Sequence, residues 1–383
     1  MVITENHSGI HIDKLVGMAR RENNKKRKNL MVNYFQGKHV PVSGSAALSL
    51  FERLAERIEI PEGNGEGILV IGFAETATAV GASAAAFLGE KFGNCTYIHT
   101  SRENIPREFC VADFSEEHSH ASEQYLFSGS GEKIFSGIKH IIFVEDELTT
   151  GKTILNIVKI LKEKVSHECR FYAASLVNGM SGENISEYDS RRIGLFWLVK
   201  VDNSIEDMNS ELDISPLEDM KPIHRKRRIE RIDVPGMVNP RLGCNIADYM
   251  NSCRRMTDEV YSRIKTRLGN FRTVDVIGTE EFMFPALLLA QKLEQNGFEA
   301  TSHSTTRSPI VPADSAGYPL NSRCKLHSLY DYDRTTYLYN LYECDAVIII
   351  TDAEKPDNPA LNELTEFLKT DQVTYCPLQQ TIQ

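Results

Sequence analysis

The residues from Ile141 to Thr153 hold the chemical types that a sugar-phosphate site requires, in a usable order. Ile141-Ile142-Phe143-Val144 reads as a buried strand. Glu145 and Asp146 follow where that strand should end, and carboxylates accept hydrogen bonds from the hydroxyls of a polyol. Thr149-Thr150-Gly151 is a small-residue turn, after which Ile154, Leu155, Ile157, Val158, Ile160 and Leu161 set a helical period. A turn that opens a helix presents free N–H groups and the positive end of the helix dipole, which suits a phosphate. A diol and a phosphate together describe a sugar phosphate. Two other readings compete. Gly151-Lys152-Thr153 ends like a P-loop, but the first glycine of that motif falls at Asp146, whose charge would repel a triphosphate. The plainer alternative is a strand–turn–helix with a solvated acidic turn.

Other segments must position these residues. Ala46–Ile58 has the apolar spacing of an amphipathic helix. Ile68–Ile71 reads as a second buried strand, running into Gly72-Phe73-Ala74-Glu75-Thr76 and then an alanine-rich helix to about Phe92. That turn reads either as a packing turn or as a second place where backbone amides face an anion. Tyr97-Ile98 suggests a strand ending at Arg102, a candidate clamp for pyrophosphate or else a surface partner of Glu103 or Asp113. Residues 103–136 read as a long polar loop, in which His118 and His120 are surface residues more readily than metal ligands. The basic run from Arg20 to Lys28 reads as a solvated tail or helix face. Phe171–Val177 and Ile193–Val201 complete the strands of the first half, and the acidic, proline-containing stretch after them reads as a linker.

The order of apolar strand, acidic pair and Thr-Thr-Gly-x-Thr resembles the phosphoribosyl pyrophosphate (PRPP) motif of type I phosphoribosyltransferases. The resemblance implies that Glu145 and Asp146 hold the ribose hydroxyls and that Thr149, Thr150, Gly151, Lys152 and Thr153 hold the 5′-phosphate. It also implies that Gly72, Phe73, Ala74, Glu75 and Thr76, with Arg102, face pyrophosphate, and that a flap lies within 103–136. Glu147 stands where many members have an apolar residue. Mg²⁺ is the implied cofactor, held through the ligand, and Glu145, Asp146 and Arg102 are the expected catalytic groups.

Composition narrows the partners. With 43 basic and 53 acidic residues the net charge is −10, so a general nucleic-acid binder is not expected. The eight cysteines form no C-x-x-C pair, which argues against structural zinc and for reduced thiols. Neither a signal peptide nor a membrane span is evident, and a cytoplasmic location is the expectation.

The chain then repeats itself. Met237-Val238-Asn239 follows Met31-Val32-Asn33 by 206 positions, Gly278 follows Gly72 and Asp352 follows Asp146 by the same interval, and Arg307 follows Arg102 by 205. A long period of this kind implies duplicated structure. The second copy has no threonine-glycine turn after Asp352, and prolines there remove N–H donors. It does carry Thr305-Thr306-Arg307-Ser308-Pro309, which reads as a capped turn or, with Glu280 and Glu281 at a matched strand end, as a second candidate site.

The letters T-R-S-P resemble the signature of the TRSP domain, which lies C-terminal to a phosphoribosyltransferase domain in proteins of tellurium-resistance and related stress gene clusters. Gly37-Lys38-His39-Val40-Pro41 and Thr100-Ser101-Arg102-Glu103 fit the same family. The expected fold is α/β, with two Rossmann-like domains of mainly parallel sheet, the second a degenerate repeat. The expected boundaries are 1–202, a linker at 203–225, and 226–383. The expected activity is Mg²⁺-dependent transfer of ribose 5-phosphate between PRPP and a small-molecule acceptor, in either direction, making or cleaving a nucleotide-like metabolite. A non-catalytic PRPP or nucleotide sensor is the alternative. The second half is expected to act as a pseudo-subunit, in an intrachain pseudo-dimer or a homodimer.

Overall fold

A computed structural model describes residues 2–24, 27–61, 65–115, 123–202, 209–223, 227, 229–269, 271–353 and 359–381. His118 and His120 lie outside them. The strands of the first half are β1 (Val2–Asn6), β2 (Val16–Arg20), β3 (Asn29–Asn33), β4 (Val42–Ser43), β5 (Gly67–Gly72), β6 (Cys95–His99), β7 (Cys110–Ser115), β8 (Glu123–Phe127), β9 (Ile138–Leu148), β10 (Arg170–Asn178) and β11 (Gly194–Asp202). Those of the second are β12 (Ile229–Arg231), β13 (Val234–Val238), β14 (Cys244–Asn245), β15 (Thr273–Gly278), β16 (Glu299–Ser304), β17 (Arg323–His327), β18 (Thr335–Tyr339), β19 (Ala346–Thr351) and β20 (Val373–Thr381).

Two larger sheets carry the architecture. One has the order β1-β11-β10-β9-β5-β6-β14, the other β12-β20-β19-β15-β16-β4 with β13 also on β20. Their centres match: β10-β9-β5-β6 and β20-β19-β15-β16 are all parallel neighbours. Strands buried on both faces read as unbroken apolar runs, and Ile141–Val144, Ile68–Ile71 and Val347–Ile350 are buried throughout. The Thr78–Phe92 helix falls where its alanine-rich sequence placed it. The Gly44–Glu56 helix starts two residues earlier than its periodicity indicated, because Ser43 accepts a hydrogen bond from the Ala46 N–H and caps it.

The halves exchange their edge strands. β4 of the first half adds antiparallel to β16, with Ser43 opposite Thr301, and β14 of the second adds antiparallel to β6, with Cys244 opposite Tyr97. Helices follow the same exchange: Gly44–Glu56 lies on Phe284–Glu294, and Ile246–Leu268 lies on Thr78–Phe92. One apolar core therefore runs through both halves, joining Leu50, Phe51 and Leu54 to Ile246, Met256, Leu287 and Leu289. Gly44 permits the first of these approaches, since a Cβ there would stand 2.4 Å from the Leu287 carbonyl oxygen.

Four expectations change. β9 runs on to Leu148 rather than stopping at Val144, because Glu145, Glu147 and Leu148 still find backbone partners on β10. Residues 103–136 are not one long loop: β7 and β8 pair as a hairpin. The basic run is not a solvated tail, since β2 and β3 pair as a hairpin that includes Arg20 and brings Arg27 to an ion pair with Glu147. The Met237-Val238-Asn239 repeat does not reproduce the pairing of its counterpart, for β13 joins the main sheet beside β20 while β3 stays in its hairpin. Asn209 and Ser210 accept hydrogen bonds from Lys28 and Asn29 of the first half, and farther on the Leu217 and Met220 N–H groups reach the Pro312 and Arg323 carbonyls and Asp219 pairs with Arg323.

Candidate functional site

The carboxyl end of β9 presents Glu145, Asp146 and Glu147, all half-buried. Because side chains alternate along a strand, Asp146 points to the face opposite Glu145 and Glu147. Each carboxylate meets a different element. Asp146 Oδ1 accepts from Thr76 Oγ1 at 2.8 Å, which ties the strand end to the turn after β5. Glu147 pairs with Arg27 of the β2–β3 hairpin. Glu145 lies near Tyr188, whose hydroxyl donates to the Gly151 carbonyl at 2.6 Å. Burial pushes the Tyr188 phenol up, and Glu145 adds to that shift, so the hydroxyl stays a donor.

The turn that follows has the geometry its sequence required. Gly151 has φ of 73° and sits at the N-cap of the Lys152–Lys164 helix, with no side chain capping it. A Cβ at Gly151 would stand 2.6 Å from Tyr188 Oη, so both the backbone conformation and the space call for glycine. Thr149, Thr150 and Thr153 are half-buried and Lys152 is exposed. The first turn of this helix follows the end of β9 directly, and the Lys152 N–H reaches Thr150 Oγ1 at 3.4 Å.

The turn after β5 lies beside it. The Phe73 N–H reaches the Val144 carbonyl at 3.1 Å, and the Ala74 N–H donates to Thr100 Oγ1 at 2.8 Å. The Ala74–Glu75 peptide is cis. Gly72, Phe73, Ala74 and Glu75 are buried and Thr76 is half-buried. The Glu75 side chain pairs with Lys38 of its own half and accepts from the Arg307 N–H of the second half at 3.3 Å. Burial raises the Glu75 carboxyl, but Lys38 and Arg307 outweigh burial and hold it below its ordinary value. Lys38 is fully buried, which draws its ammonium down against the pull of Glu75. Its Nζ also donates to the Glu280 carbonyl at 2.6 Å.

A reciprocal contact holds the other half. Glu281, the counterpart of Glu75, accepts from the Arg102 N–H at 2.9 Å, Ser101 Oγ at 2.8 Å and Arg241 Nε at 2.7 Å. Burial raises Glu281, yet Arg241, His99 and Arg307 together bring it down to about 2. Arg102 is thus anchored by its backbone across the halves, and Glu103 is paired with Arg307 and Arg334. At the end of β19, Asp352 is buried and bound by Arg241, Tyr330 and Gln380. Residues 354–358, which follow it, lie outside the described residues. Glu280, Glu281, Thr305 and Thr306 are buried, Arg307 and Ser308 half-buried.

The structure thus brings Glu145, Asp146, the 149–153 turn and Thr76 around one strand end. It gives Glu75, Glu281 and Arg307 to the contact between the halves. Sequence reasoning missed Lys38 and Arg241. A lysine in a polar segment signals surface, and only its place within Gly37–Pro41 set it apart. Among the described residues no group of three or more His, Cys, Asp or Glu could hold a metal ion, and no helix is long and apolar enough to cross a membrane.

Comparison with known proteins gives two family matches. Residues 15–201 match a family described as phosphoribosyl transferase, and residues 239–368 match the TRSP domain found C-terminal to it. No curated protein matches. Solved structures with a likeness include adenine phosphoribosyl transferase from Trypanosoma brucei in complex with AMP, pyrophosphate and ribose-5-phosphate. It is 9% identical with a TM-score of 0.34, over 52% of this chain and 79% of that one. Orotate phosphoribosyltransferase from Aeropyrum pernix is 16% identical with a TM-score of 0.25, over 43% and 76%. Adenine phosphoribosyltransferase from Saccharomyces cerevisiae is 12% identical with a TM-score of 0.28, over 47% and 93%.

Proposed function

We propose that this chain, which belongs to the phosphoribosyl transferase family with a TRSP domain C-terminal to it, runs its reaction at the end of β9. The chain is a phosphoribosyltransferase, and so a pentosyltransferase. In this reading Glu145 and Asp146 hold the ribose hydroxyls, and the 149–153 turn holds the 5′-phosphate. Gly72 to Thr76 hold pyrophosphate, with Arg102 and Lys152 adding positive charge. The C1–O bond to pyrophosphate breaks while the acceptor forms its bond to C1, and both electrons of the broken bond leave with pyrophosphate. The protein's part is placement of the two reactants and stabilisation of the departing charge. Carboxylates at C1 also favour a sugar carrying developing positive charge. Mg²⁺ would be held through the ligand that Glu145 and Asp146 bind, keeping part of its water shell. When bound, Mg²⁺ would neutralise pyrophosphate oxygens.

The observation that carries this reading is the Thr76–Asp146 hydrogen bond, which joins the acidic strand end to the second turn at 2.8 Å. The acceptor is a small molecule, and the β2–β3 and β7–β8 hairpins stand where they could select it. We take residues 1–202 as the transferase unit, 203–225 as the linker and 226–383 as a degenerate copy, so that one chain forms its own pseudo-dimer. A nucleotide-like product in a bacterial stress pathway fits the family context.

The test is PRPP binding with Mg²⁺, read by calorimetry, in the intact chain and in Asp146→Asn. A loss of about a hundredfold is expected, the scale of removing a charged hydrogen-bond partner. Unchanged affinity would remove Asp146 from the ribose site.

A further inference from the structure

The Thr306–Val311 segment makes an unusual set of contacts for a stretch of the second half. Thr306 exchanges two backbone hydrogen bonds with Tyr337, at 2.8 and 2.7 Å, which root the segment on β18. The Arg307 N–H then reaches Glu75 at 3.3 Å, its Nε reaches Glu280 at 2.6 Å, and its Nη2 pairs with Glu103. Two residues on, the Pro309 carbonyl accepts from the Glu22 N–H at 2.9 Å, and the Val311 N–H donates to the Arg20 carbonyl at 2.9 Å. Ile310 is buried with Ala19, Leu30 and Val32 of the β2–β3 hairpin, and its N–H donates to the Tyr339 hydroxyl.

Three first-half elements converge on this strip. The turn after β5 is held at Glu75, next to the Thr76 that bonds Asp146. The stretch leading to the β7–β8 hairpin is held at Glu103. The β2–β3 hairpin, whose Arg27 pairs with Glu147, is held at Arg20 and Glu22. Two of the three reach the carboxyl end of β9 directly, through Thr76 and Arg27, while Arg307 itself spends its donors on carboxylates of both halves. A guanidinium suits this work, because its rigid fork fixes several carboxylates at once and keeps its charge when buried.

We infer that the 306–311 segment is a strap rather than a ligand site, and that Arg307 is a positioning residue that sets the 72–76 turn for the pyrophosphate end of PRPP. The inference rests on the reading of that turn given above. It gives the T-R-S-P letters a mechanical role, in which the Arg307 guanidinium acts on the turn through Glu75, 3.7 Å from its Nε, and on the approach to the β7–β8 hairpin through Glu103.

The experiment measures three ligands separately on the full chain: PRPP with Mg²⁺, inorganic pyrophosphate, and ribose 5-phosphate. Calorimetry is run on the wild type, Arg307→Lys and Arg307→Ala. Misplacing the turn should weaken PRPP and pyrophosphate by about tenfold or more and leave ribose 5-phosphate within about twofold, with lysine intermediate. Hydrogen exchange in 73–77 and 20–22 should quicken in the same variants. Equal losses for all three ligands would show a merely structural role and overturn the inference, as would no loss at all. Should Arg307→Ala fail to fold, Arg307→Lys decides. A wild type that binds none of the three would instead sink the reading of the site, and this inference with it.

Discussion

Two strand ends occupy matched places in the two sheets and have met different fates. At the end of β9, Glu145, Asp146 and Glu147 remain half-buried just ahead of the helix that starts after Gly151. At the end of β19, Asp352 is buried and fully engaged by Arg241, Tyr330 and Gln380. The first leaves its three carboxylates partly open to solvent, although Asp146 and Glu147 already have protein partners. The second has its carboxylate closed in by the protein. A carboxylate can serve a substrate only where the fold leaves it room, so equivalent position does not mean equivalent chemistry. The two halves meet through carboxylates that accept backbone N–H groups: Glu281 takes the Arg102 N–H, and Glu75 takes the Arg307 N–H.

That contrast can be broken most forcefully at Arg241. Its guanidinium lies between Glu281 and Asp352, and all three are buried. Arg241→Met leaves two buried carboxylates without their cation and should cost about 3–5 kcal/mol of stability, the range for breaking a buried ion pair. Denaturant unfolding measures it. A loss under about 1 kcal/mol would mean that the second strand end is not an internal lock. Asp146→Asn should do the reverse, costing ligand affinity and little stability.

A smaller effect sharpens the comparison through pH. Burial and the nearby Glu281 raise Glu103 from 4.5 to about 7, against the pull of Arg307 and Arg334. A carboxyl that holds its proton more tightly when folded contributes stability in full below its ordinary value, and that contribution is lost as pH rises from 4.5 through about 7. Glu103→Gln removes the titration. The wild type should therefore lose stability relative to the variant across that window, followed by thermal unfolding at a series of pH values. Parallel curves would place Glu103 in a more solvated setting than the contact between the halves provides.

The legible parts of this chain were local or periodic. The strand, acidic pair, turn and helix of 141–161 could be read because apolar runs and a positive-φ glycine leave direct marks. The 205–206 interval was visible because matched strand ends keep their spacing. Other features left no such mark. β4 and β14 have two residues each, too few to show any period, yet they tie the two sheets together. Glu145 and Glu147 look like the end of a strand, though β10 still pairs with them. The basic run looked solvated because charge ordinarily seeks water, whereas Arg27 pairs with the distant Glu147. Lys38 and Arg241 are buried for the same reason, with ionic partners that no local pattern can announce.

The most direct test is the number of PRPP molecules that one intact chain binds with Mg²⁺, titrated by calorimetry. One equivalent per chain is expected, lost in Asp146→Asn. Two equivalents, or one that survives that substitution, would contradict the division of labour between the two strand ends.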